Sequence, residues 1–424
     1  MAEPSEVIPH TLWTCAKTFS FNPFGTSFPK GPLMSAEGTS MTHQQTAAGD
    51  DPLRVVIIGG GIAGLCALIS LRKQAPEAKI TLIDRRDCHV KIPRMHEVLR
   101  APRPLIQIPF RELSSVYDFD FIKADVSLTA GKFPEIAATR HIEVAGQTLD
   151  FDYLVLAGGL SDPAGPVRMS GCLGLGEFLV GDPHSLLEPA STPRNKGRDI
   201  ITVAGAGPTG IQFVFELKEY LDRVGDTRQI HLLDTGQLPL QRFDPRIGEY
   251  VLRQMDARGL HHHPGKRLVG TSKGRLLIEN SKGEQHEFQS GVTITLTGAT
   301  TQKVLQVNLF GQLLLHGKPY PRLLAAGDVA CFKGPIPSTV SAQSAVRKGK
   351  LIARNILASE RRIPIPRPYL HSDKGYIVSL GADDAVGWVG SRRRIVKGRV
   401  ALGLRELIDK QYDLFLEGID TFIV

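Results

Sequence analysis

The sequence predicts an α/β fold with two parallel-sheet units, the second inserted in the first, and a small C-terminal region. A β-branched run that leads into closely spaced glycines occurs twice, in "VVIIGGGIAGLCALISL" (55–71) and in "VAGAGPTGIQFVFEL" (203–217). Each is followed by a further apolar strand, and the strand "RLLAAGDVA" comes only after the second unit is complete. Strands that alternate with helical segments are typical of parallel sheets.

The charge, the N-terminal composition and the cysteines indicate which partners and which cellular setting the chain fits. The chain has 424 residues, 42% of them hydrophobic, and a net charge of +8, which favours anionic partners such as nucleotides or phospholipid surfaces but also fits a generally basic enzyme. Residues 1–52 are rich in small and polar residues and are predicted to be a disordered tail. The five cysteines form no C-x-x-C pair, which indicates a reducing, cytoplasmic setting without structural disulfides: Cys15, Cys66, Cys88, Cys172 and Cys331.

The first unit begins with the strand "RVVII" and a G-x-G-x-x-G turn. Gly59 permits the tight turn, Gly61 lets the backbone approach a pyrophosphate, and Gly64 allows close packing of helix on strand. The helix that follows points its free N–H groups and the positive end of its dipole at the phosphates. This motif alone is weak, so its context decides the interpretation.

Acidic and small residues supply that context. The next strand, "AKITLID", ends in Asp84, at the spacing expected for an acid that binds ribose hydroxyls, and Arg85 beside it is a further candidate contact. Small residues after "FDYLVLAGG", among them Gly158, would let a cofactor pass closely. Asp328, after Gly327 in "AAGDVA", could meet a ribityl or phosphate-side hydroxyl. Together these segments indicate FAD in the first unit.

The second unit repeats the design with Gly205, Gly207 and Gly210. Its next strand, "QIHLLD", ends in Asp234, which would accept hydrogen bonds from a ribose 2′-hydroxyl and repel a 2′-phosphate, so NADH is favoured over NADPH. The strand "GVTITLTGA" closes this unit near Gly298.

Two nucleotide units in one chain predict a flavoprotein in which NADH is the substrate and FAD the resident cofactor. The predicted FAD domain is discontinuous, at 53–165 and 300–360, and the NADH domain at 166–299 lies between its halves. Residues 361–424 are predicted to form a C-terminal interface region. The sequence leaves a homodimer open.

With these motifs the chain resembles the two-dinucleotide-binding-domain flavoproteins of the pyridine nucleotide-disulfide oxidoreductase superfamily, and within them the type II NADH dehydrogenases. The segments "ITLIDRRDCHVKIPRMHEV", "IQIPFREL", "GAGPTG", "GDVA" and "PSTVSAQSA" follow the family order over about residues 53–360. The resemblance implies an FAD-dependent NADH:quinone oxidoreductase that pumps no protons, whose flavin lies between nicotinamide and quinone sites. The family's C-terminal region often rests on a membrane.

Three positions near these sites are candidate catalytic residues, and two of them depart from the family pattern. Gln212 stands where members usually have a glutamate, and Arg347 stands where they often have a second glutamine four residues after the one matching Gln343. Gln343 and Arg347 would share one face of a helix that we expect to begin near Ser338 or Thr339. Gln212 cannot take up a proton as a carboxylate does, and Arg347 is permanently positive. A merely structural role for both is equally open.

Other interpretations have less support. A disulfide reductase needs a cysteine pair near the first unit, where only Cys88 lies. Cys172 and Cys331 leave a sulfide:quinone reductase as an alternative, although buried structural thiols are more common. The run His261–His263 alternates faces on a strand, so no metal site is predicted. Reduction of a redox protein, oxygen or another small molecule stays open, and a signalling role like that of apoptosis-inducing factor is a weaker alternative.

The C-terminal region combines "SRRRIVKGR", with five basic residues and no acid, and an amphipathic helix in "VALGLRELIDKQYDLFL". This pattern fits a solvated turn beside a packing helix, and it also fits contact with the inner face of a membrane. No aromatic residues are interleaved with the basic ones, so we expect no nucleic-acid partner.

Overall fold

A computed structural model describes residues 51–100, 103–159, 171–188, 199–272, 275–297 and 304–422. Residues 1–50 of the predicted tail, and Gly298, lie outside these ranges. The α-helices are α1 (Ile62–Gln74), α2 (Arg103–Ile106), α3 (Phe110–Tyr117), α4 (Phe133–Thr139), α5 (Leu175–Val180), α6 (Pro183–Leu187), α7 (Pro208–Val224), α8 (Pro245–Ala257), α9 (Ala342–Ser359) and α10 (Gly398–Leu416); short 3₁₀ helices span Ile92–Leu99, Ala130–Lys132 and Gly327–Val329.

The strands are β1 (Arg54–Ile58), β2 (Lys79–Asp84), β3 (Cys88–Val90), β4 (Gln107–Pro109), β5 (Asp120–Lys123), β6 (His141–Val144), β7 (Gln147–Asp150), β8 (Tyr153–Leu156), β9 (Cys172–Leu173), β10 (Ile200–Ala204), β11 (Gln229–Leu233), β12 (His261–His263), β13 (Lys266–Ser272), β14 (Arg275–Asn280), β15 (Gln285–Phe288), β16 (Val292–Thr295), β17 (Leu305–Val307), β18 (Gln312–Leu315), β19 (Lys318–Ala325), β20 (Ala330–Phe332), β21 (Gly375–Ser379), β22 (Ala385–Val389) and β23 (Ile395–Lys397).

The larger sheet joins the two ends of the nucleotide-binding region. Its order is β20-β17-β18-β19-β8-β1-β2-β5, and β1 pairs in parallel with both β2 and β8. The late strand β19 pairs in parallel with β8, so residues after 304 complete the sheet that residues 54–156 begin. Helices α1 and α9 pack into one apolar core with this sheet, which contains Leu65, Ile69 and Ile352 among its fully buried side chains.

The second sheet has the order β12-β11-β10-β16-β9, and all of its pairs are parallel. Helix α7 covers it and buries Phe213 and Phe215 completely. A parallel sheet covered by a helix, with a glycine turn between its first strand and that helix, appears in both units. The predicted α/β class with two Rossmann-like units is therefore confirmed.

A three-stranded antiparallel sheet, β21-β22-β23, and helix α10 form the C-terminal region. Val378, Leu380 and Trp388 from this region belong to the same apolar core as α7, and Phe415 and Leu416 at the end of α10 belong to the core of α1 and α9. The C-terminal region therefore packs against both nucleotide-binding units.

Helix α9 begins later than its sequence suggested. We expected a start near Ser338 or Thr339, but the first helical residue is Ala342. Ser341 has extended backbone angles, and its hydroxyl accepts a hydrogen bond from the N–H of Ser344 at 3.0 Å. Several hydroxyl residues in a row can each serve as an N-cap, so their order alone does not locate the cap.

Candidate active site

The first glycine turn leaves no room for larger residues at two of its three motif positions. Gly59 has φ +107°, and a Cβ there would lie 2.4 Å from the carbonyl oxygen of Ala157. A Cβ on Gly64 would lie 1.9 Å from the carbonyl oxygen of Gly59, because α1 crosses the turn at close range. Gly61 instead faces open space, with no atom within 4 Å of its Cβ position.

The second turn repeats this geometry. Gly205 has φ +112°, and its Cβ position is 2.5 Å from the carbonyl oxygen of Leu296. The Cβ position of Gly210 is 1.8 Å from the carbonyl oxygen of Gly205, and Gly207 faces open space. In each turn the third glycine of the motif lets the helix pack closely on the turn, and the middle glycine has no neighbouring atom within 4 Å of its Cβ position. This arrangement lets a pyrophosphate approach the backbone.

Both helices also start without a competing side chain. Neither α1 nor α7 has a side-chain N-cap hydrogen bond or an acidic residue in its first turn. The free N–H groups at each helix start are therefore available to an anion. Two open cradles with available backbone donors fit the diphosphate groups of FAD and of a pyridine nucleotide.

Asp84 lies at the end of β2 and closes the first turn. Its Oδ2 accepts a hydrogen bond from the N–H of Gly60 at 2.7 Å, and its Oδ1 accepts one from the N–H of Arg86 at 2.8 Å. Each carboxylate oxygen keeps a further lone pair for a ligand hydroxyl. Arg85 is exposed beside it. Contact of these two side chains with a ribose stays a prediction.

Asp328 has the strongest local sign of a missing partner. It lies in the 3₁₀ turn Gly327–Val329 at the end of β19, and its Oδ1 is buried without a hydrogen-bond partner. Burial raises the pKa of this carboxyl group, and the nearby Lys348 opposes that shift. A buried acceptor is stabilised only when it meets a donor, and a ribityl hydroxyl of FAD is such a donor. Gly158, at the end of the adjacent β8, faces open space.

Asp234, at the matching position of the second unit, is only 6% exposed. Its Oδ1 accepts a hydrogen bond from the N–H of Gly236 at 3.0 Å. Its Oδ2 lies 3.6 Å from Nε2 of His262, and both of these atoms are buried without a hydrogen-bond partner. His262, on β12, therefore lies directly beside the carboxylate of Asp234. The next residue, His263, points to the opposite face of the sheet, where it is hydrogen-bonded to His231 at 2.9 Å.

Gln212 lies in a buried polar cluster formed by three parts of the chain. Its Nε2 is 3.2 Å from Oγ of Ser379, at the end of β21, and 3.4 Å from Nε2 of His96. His96 is 2% exposed, and its Nε2 is also 3.1 Å from Ser379 Oγ and 3.1 Å from Nη2 of Arg405 on α10. The cluster of Gln212, His96, Ser379 and Arg405 joins the second unit to the C-terminal region.

The charges around this cluster keep its histidine neutral. Burial, followed by the positive charges of Arg405, Arg100 and Arg94, holds the pKa of His96 well below its usual range. Nε2 of His96 therefore accepts the hydrogen bond that Arg405 donates. Arg405 also pairs with Glu97 at 3.2 Å, which balances its charge. Gln212 and Ser379 have no acidic proton to exchange, and His96 stays neutral, so these three members of the cluster hold hydrogen bonds without titrating near neutral pH.

Gln343 occupies a different position from Gln212. Its Nε2 donates to the carbonyl of Gly375 at 3.2 Å, and its Oε1 accepts from the N–H of Lys374 at 3.3 Å. Gly375 and Ser379 are the two ends of β21, roughly 13 Å apart at 3.3 Å per residue. The two glutamines therefore contact opposite ends of one strand. Arg347 lies one turn beyond Gln343 on α9 and is partly buried.

His96, Ser379 and Arg405 were missed by the sequence reasoning. Arg405 is 309 residues from its histidine partner, and nothing local separates it from the solvated charges of an amphipathic helix. The sequence offered one indication of a role for Arg405: it lies four positions before Asp409 on α10, and the two side chains pair at 3.4 Å. That spacing also describes an ordinary surface pair.

The cysteines considered for sulfide chemistry lie in different sheets. Cys172 is on β9 of the second sheet and Cys331 is on β20 of the first. Both are free and partly buried, and burial raises the pKa of the Cys172 thiol. A raised pKa lowers the fraction of reactive thiolate, so nothing in the geometry of Cys172 favours a nucleophilic role.

The sequence profile of the pyridine nucleotide-disulphide oxidoreductase family matches residues 53–349, well over half of the chain. A type II NADH:quinone oxidoreductase of Staphylococcus saprophyticus is 24% identical over 404 residues, which cover 87% of this chain and 97% of that protein. One from Staphylococcus aureus is also 24% identical, over 407 residues, with the same coverage.

A solved structure of NDH2 from Plasmodium falciparum in complex with NADH is similar in fold, with a TM-score of 0.70, 14% identity, and coverage of 85% of this chain and 94% of that one. The sulfide:quinone oxidoreductase of Aquifex aeolicus has a TM-score of 0.68 at 18% identity, with coverage of 87% and 92%. These likenesses agree with the predicted resemblance, and the profile match decides the family: the chain belongs to the pyridine nucleotide-disulphide oxidoreductases.

Proposed function

We propose that the chain is an FAD-dependent NADH oxidoreductase that delivers electrons to a quinone. The observation that carries this proposal is the pair of glycine turns, one in each parallel sheet, with the same close contacts and the same open middle glycine. The names of its relatives, type II NADH:quinone oxidoreductases that align over 97% of their length, support the reaction. When bound, FAD accepts a hydride from a dihydronicotinamide and passes electrons to a second acceptor.

The residues divide into two binding tasks. The first turn, with Asp84 and Asp328, holds FAD, and the second turn, with Asp234, holds NADH. A buried carboxylate at Asp234 repels a 2′-phosphate and accepts from a 2′-hydroxyl, so NADH is the preferred donor. Gln212 follows the second turn on α7 and therefore belongs to the nicotinamide side.

We propose that the electron acceptor binds near α9. Gln343 and Arg347 share a face of that helix, and Arg347 offers a permanent positive charge to an anionic quinol. Gln212, Ser379 and His96 supply hydrogen bonds and no titrating acid, so the protons that a quinone takes up come from outside this cluster.

We further propose that α10 rests on the inner face of a membrane. Val400 is 71% and Leu407 is 68% exposed on this helix, and the side chains of Arg392–Arg394 just before it are exposed as well. Exposed apolar residues beside basic ones favour an anionic lipid surface, where a quinone would also be found. Within the described residues, no helix has the length and apolar character needed to cross a bilayer.

Stopped-flow measurement of the two half-reactions tests the function. We expect the purified protein to contain non-covalent FAD, NADH to bleach the flavin absorbance, and ubiquinone or menaquinone to restore it faster than oxygen, ferricyanide or sulfur compounds do. A protein that binds no FAD would overturn the proposal. If only sulfur compounds or a redox protein reoxidise the flavin, the assignment of FAD stands and the assignment of a quinone as electron acceptor is wrong.

A further inference from the structure

Lys348, on α9, is a lysine with no exposed surface. Its side chain is 0% exposed and is among the largest fully buried side chains of the described chain. A buried charge is costly unless hydrogen bonds or an opposite charge compensate it, so its surroundings should show what stabilises it.

The ammonium group is satisfied entirely by backbone. Nζ donates to the carbonyl of Gly327 at 3.0 Å, of Ala330 at 3.0 Å and of Thr339 at 3.1 Å. These are three donors for three acceptors, which requires the protonated amine, since a neutral amine has only two N–H groups. Burial lowers the pKa of Lys348 to about 8, and the charge of Asp328 opposes this shift, so the group is still largely charged at neutral pH.

The three carbonyls belong to the segments that surround Asp328. Gly327 begins the 3₁₀ turn that carries Asp328, Ala330 directly follows this turn, and Thr339 lies just before the cap of α9. We call Lys348 with these three carbonyls the lysine clamp. It ties the Asp328 turn to the start of α9.

Among the described residues, no carboxylate oxygen is hydrogen-bonded to Nζ of Lys348. The aromatic rings of Phe332 and Tyr369 lie 5.6 and 5.8 Å from it and provide weaker, cation–π stabilisation. The charge of Asp328 acts on Lys348 without a hydrogen bond between them, and a buried cation also favours further negative charge that forms nearby. Oδ1 of Asp328 is buried without a hydrogen-bond partner, so it is available to a donor from a ligand beside the same turn.

We propose that Lys348 is a positioning residue for FAD, which fixes the Asp328 turn against the cofactor and whose charge favours the reduced, more negative form of the flavin. This proposal rests on the FAD site of the proposed function. It separates two effects: the hydrogen bonds of the lysine clamp stabilise binding of FAD in either redox state, whereas the charge acts on the difference between the two states.

Two variants separate these effects. Lys348→Met removes the hydrogen bonds and the charge, and Lys348→Gln removes the charge but keeps an amide with two N–H donors. Fluorescence titration of the apoprotein gives the affinity for FAD, and equilibration with a reference dye gives the two-electron midpoint potential. Neither measurement uses NADH or a quinone.

We expect Lys348→Met to weaken FAD binding at least about tenfold, as the loss of charge-assisted hydrogen bonds predicts, and to lower the midpoint potential. Lys348→Gln should regain part of the affinity but keep the lowered potential. A tenfold loss of preference for the reduced flavin corresponds to about 30 mV in a two-electron couple.

Lys350→Met is the matched control. Lys350 is on the same helix, and its Nζ bonds Asp420 at 2.6 Å and the carbonyl of Phe422 at 3.2 Å instead of the Asp328 turn. This variant should leave both the affinity and the potential unchanged. A change of the potential equal to that of Lys348→Gln would mean a general charge effect and would overturn the proposal.

A wild-type potential in Lys348→Gln would also overturn it, and this variant decides the question if Lys348→Met does not fold. Failure of the wild-type protein to bind FAD would overturn the proposed function together with this inference. Wild-type affinity and potential in both Lys348 variants, with FAD bound, would overturn the inference alone.

Discussion

At the scale of single residues, the two helix-contacting glycines permit the least change. A Cβ added to Gly210 would lie 1.8 Å from the carbonyl oxygen of Gly205. This backbone atom cannot move aside as a flexible side chain can. We expect Gly210→Ala to push α7 away from β10, to destabilise the protein by about 2 kcal/mol or more, and to slow reduction by NADH while FAD stays bound. Urea unfolding and stopped-flow reduction measure these effects.

Gly403 provides the control for this substitution. It lies within α10, and no atom is within 4 Å of its Cβ position. Gly403→Ala should be neutral or should stabilise the helix by up to about 1 kcal/mol. Equal stability of Gly210→Ala and Gly403→Ala would show that the second turn does not depend on its third glycine.

Asp234 is expected to set the preference for NADH over NADPH as the electron donor. Its carboxylate is held by the N–H of Gly236 and lies beside His262. We expect NADH to reduce the wild-type flavin at least about tenfold more efficiently than NADPH, since a carboxylate disfavours the 2′-phosphate by more than about 1.4 kcal/mol. Asp234→Ser should narrow the ratio of kcat/KM values. The exposed Asp256→Ser is the control, and equal wild-type efficiency with both nucleotides would contradict this assignment.

At the scale of elements, the sequence predicted what local periodicity determines. β2 ends at Asp84 and α7 begins directly after Gly207, at the positions that the strand–turn–helix pattern requires. The cluster of Gln212, His96, Ser379 and Arg405 could not be predicted, because it brings together four elements separated by up to 309 residues. The start of α9 was predicted wrongly although it depends on local sequence, because several neighbouring hydroxyl residues could each serve as its N-cap.

Helix α10 shows how such long-range contacts anchor an element that looked like a surface helix. Tyr412 Oη donates to Nε2 of His89 at 3.1 Å, and Nδ1 of His89 donates to the carbonyl of Gly60 at 2.9 Å. Burial lowers the pKa of His89 to about 4, which leaves it neutral with one donor and one acceptor. The C-terminal helix is thereby hydrogen-bonded, through one histidine, to the first glycine turn.

Helix α7 carries a buried acid whose titration affects stability. Glu216 is 1% exposed, and burial raises its pKa from 4.5 to about 7 although Arg100 opposes the shift. Between these values the folded chain holds a proton that the unfolded chain has lost. This contribution to stability is therefore complete below about pH 4.5 and disappears as the pH rises through 7.

Glu216→Gln removes this titration. Relative to the wild-type protein, the variant should gain about 1–3 kcal/mol in its free energy of unfolding between pH 5 and pH 8. Urea unfolding of both proteins at the two pH values measures the change. Glu249→Gln, on the exposed surface of α8, should show no such gain. A difference between Glu216→Gln and wild type that is the same at both pH values would show that Glu216 is already ionised in the folded protein.

At the scale of the whole molecule, one strand contacts both candidate glutamines. β21 bonds Gln343 of α9 at its first residue, Gly375, and Gln212 of α7 at its last, Ser379. The sequence named both glutamines as candidate catalytic residues, and these roles stay predictions. It did not indicate the strand between them, since the strand contributes only backbone and a hydroxyl. The C-terminal region therefore contacts both α7 and α9, and the domain limits proposed from the sequence stay a prediction.

This division of tasks predicts that the two half-reactions respond to different residues. In the proposed function, Arg347 on α9 would stabilise an anionic quinol with its positive charge, and Gln212 on α7 would act on the nicotinamide side. Losing one charge-assisted hydrogen bond costs about 1.5–3 kcal/mol, or roughly ten- to hundredfold in rate if it forms only in the transition state. Arg347→Ala should therefore slow flavin reoxidation by a water-soluble quinone by this factor and leave reduction by NADH nearly unchanged, whereas Gln212→Ala should act mainly on reduction. Stopped-flow traces of each half-reaction separate the two, with Arg253→Ala on α8 as a control that should alter neither. Unchanged quinone turnover in Arg347→Ala would move the acceptor site away from this face of α9.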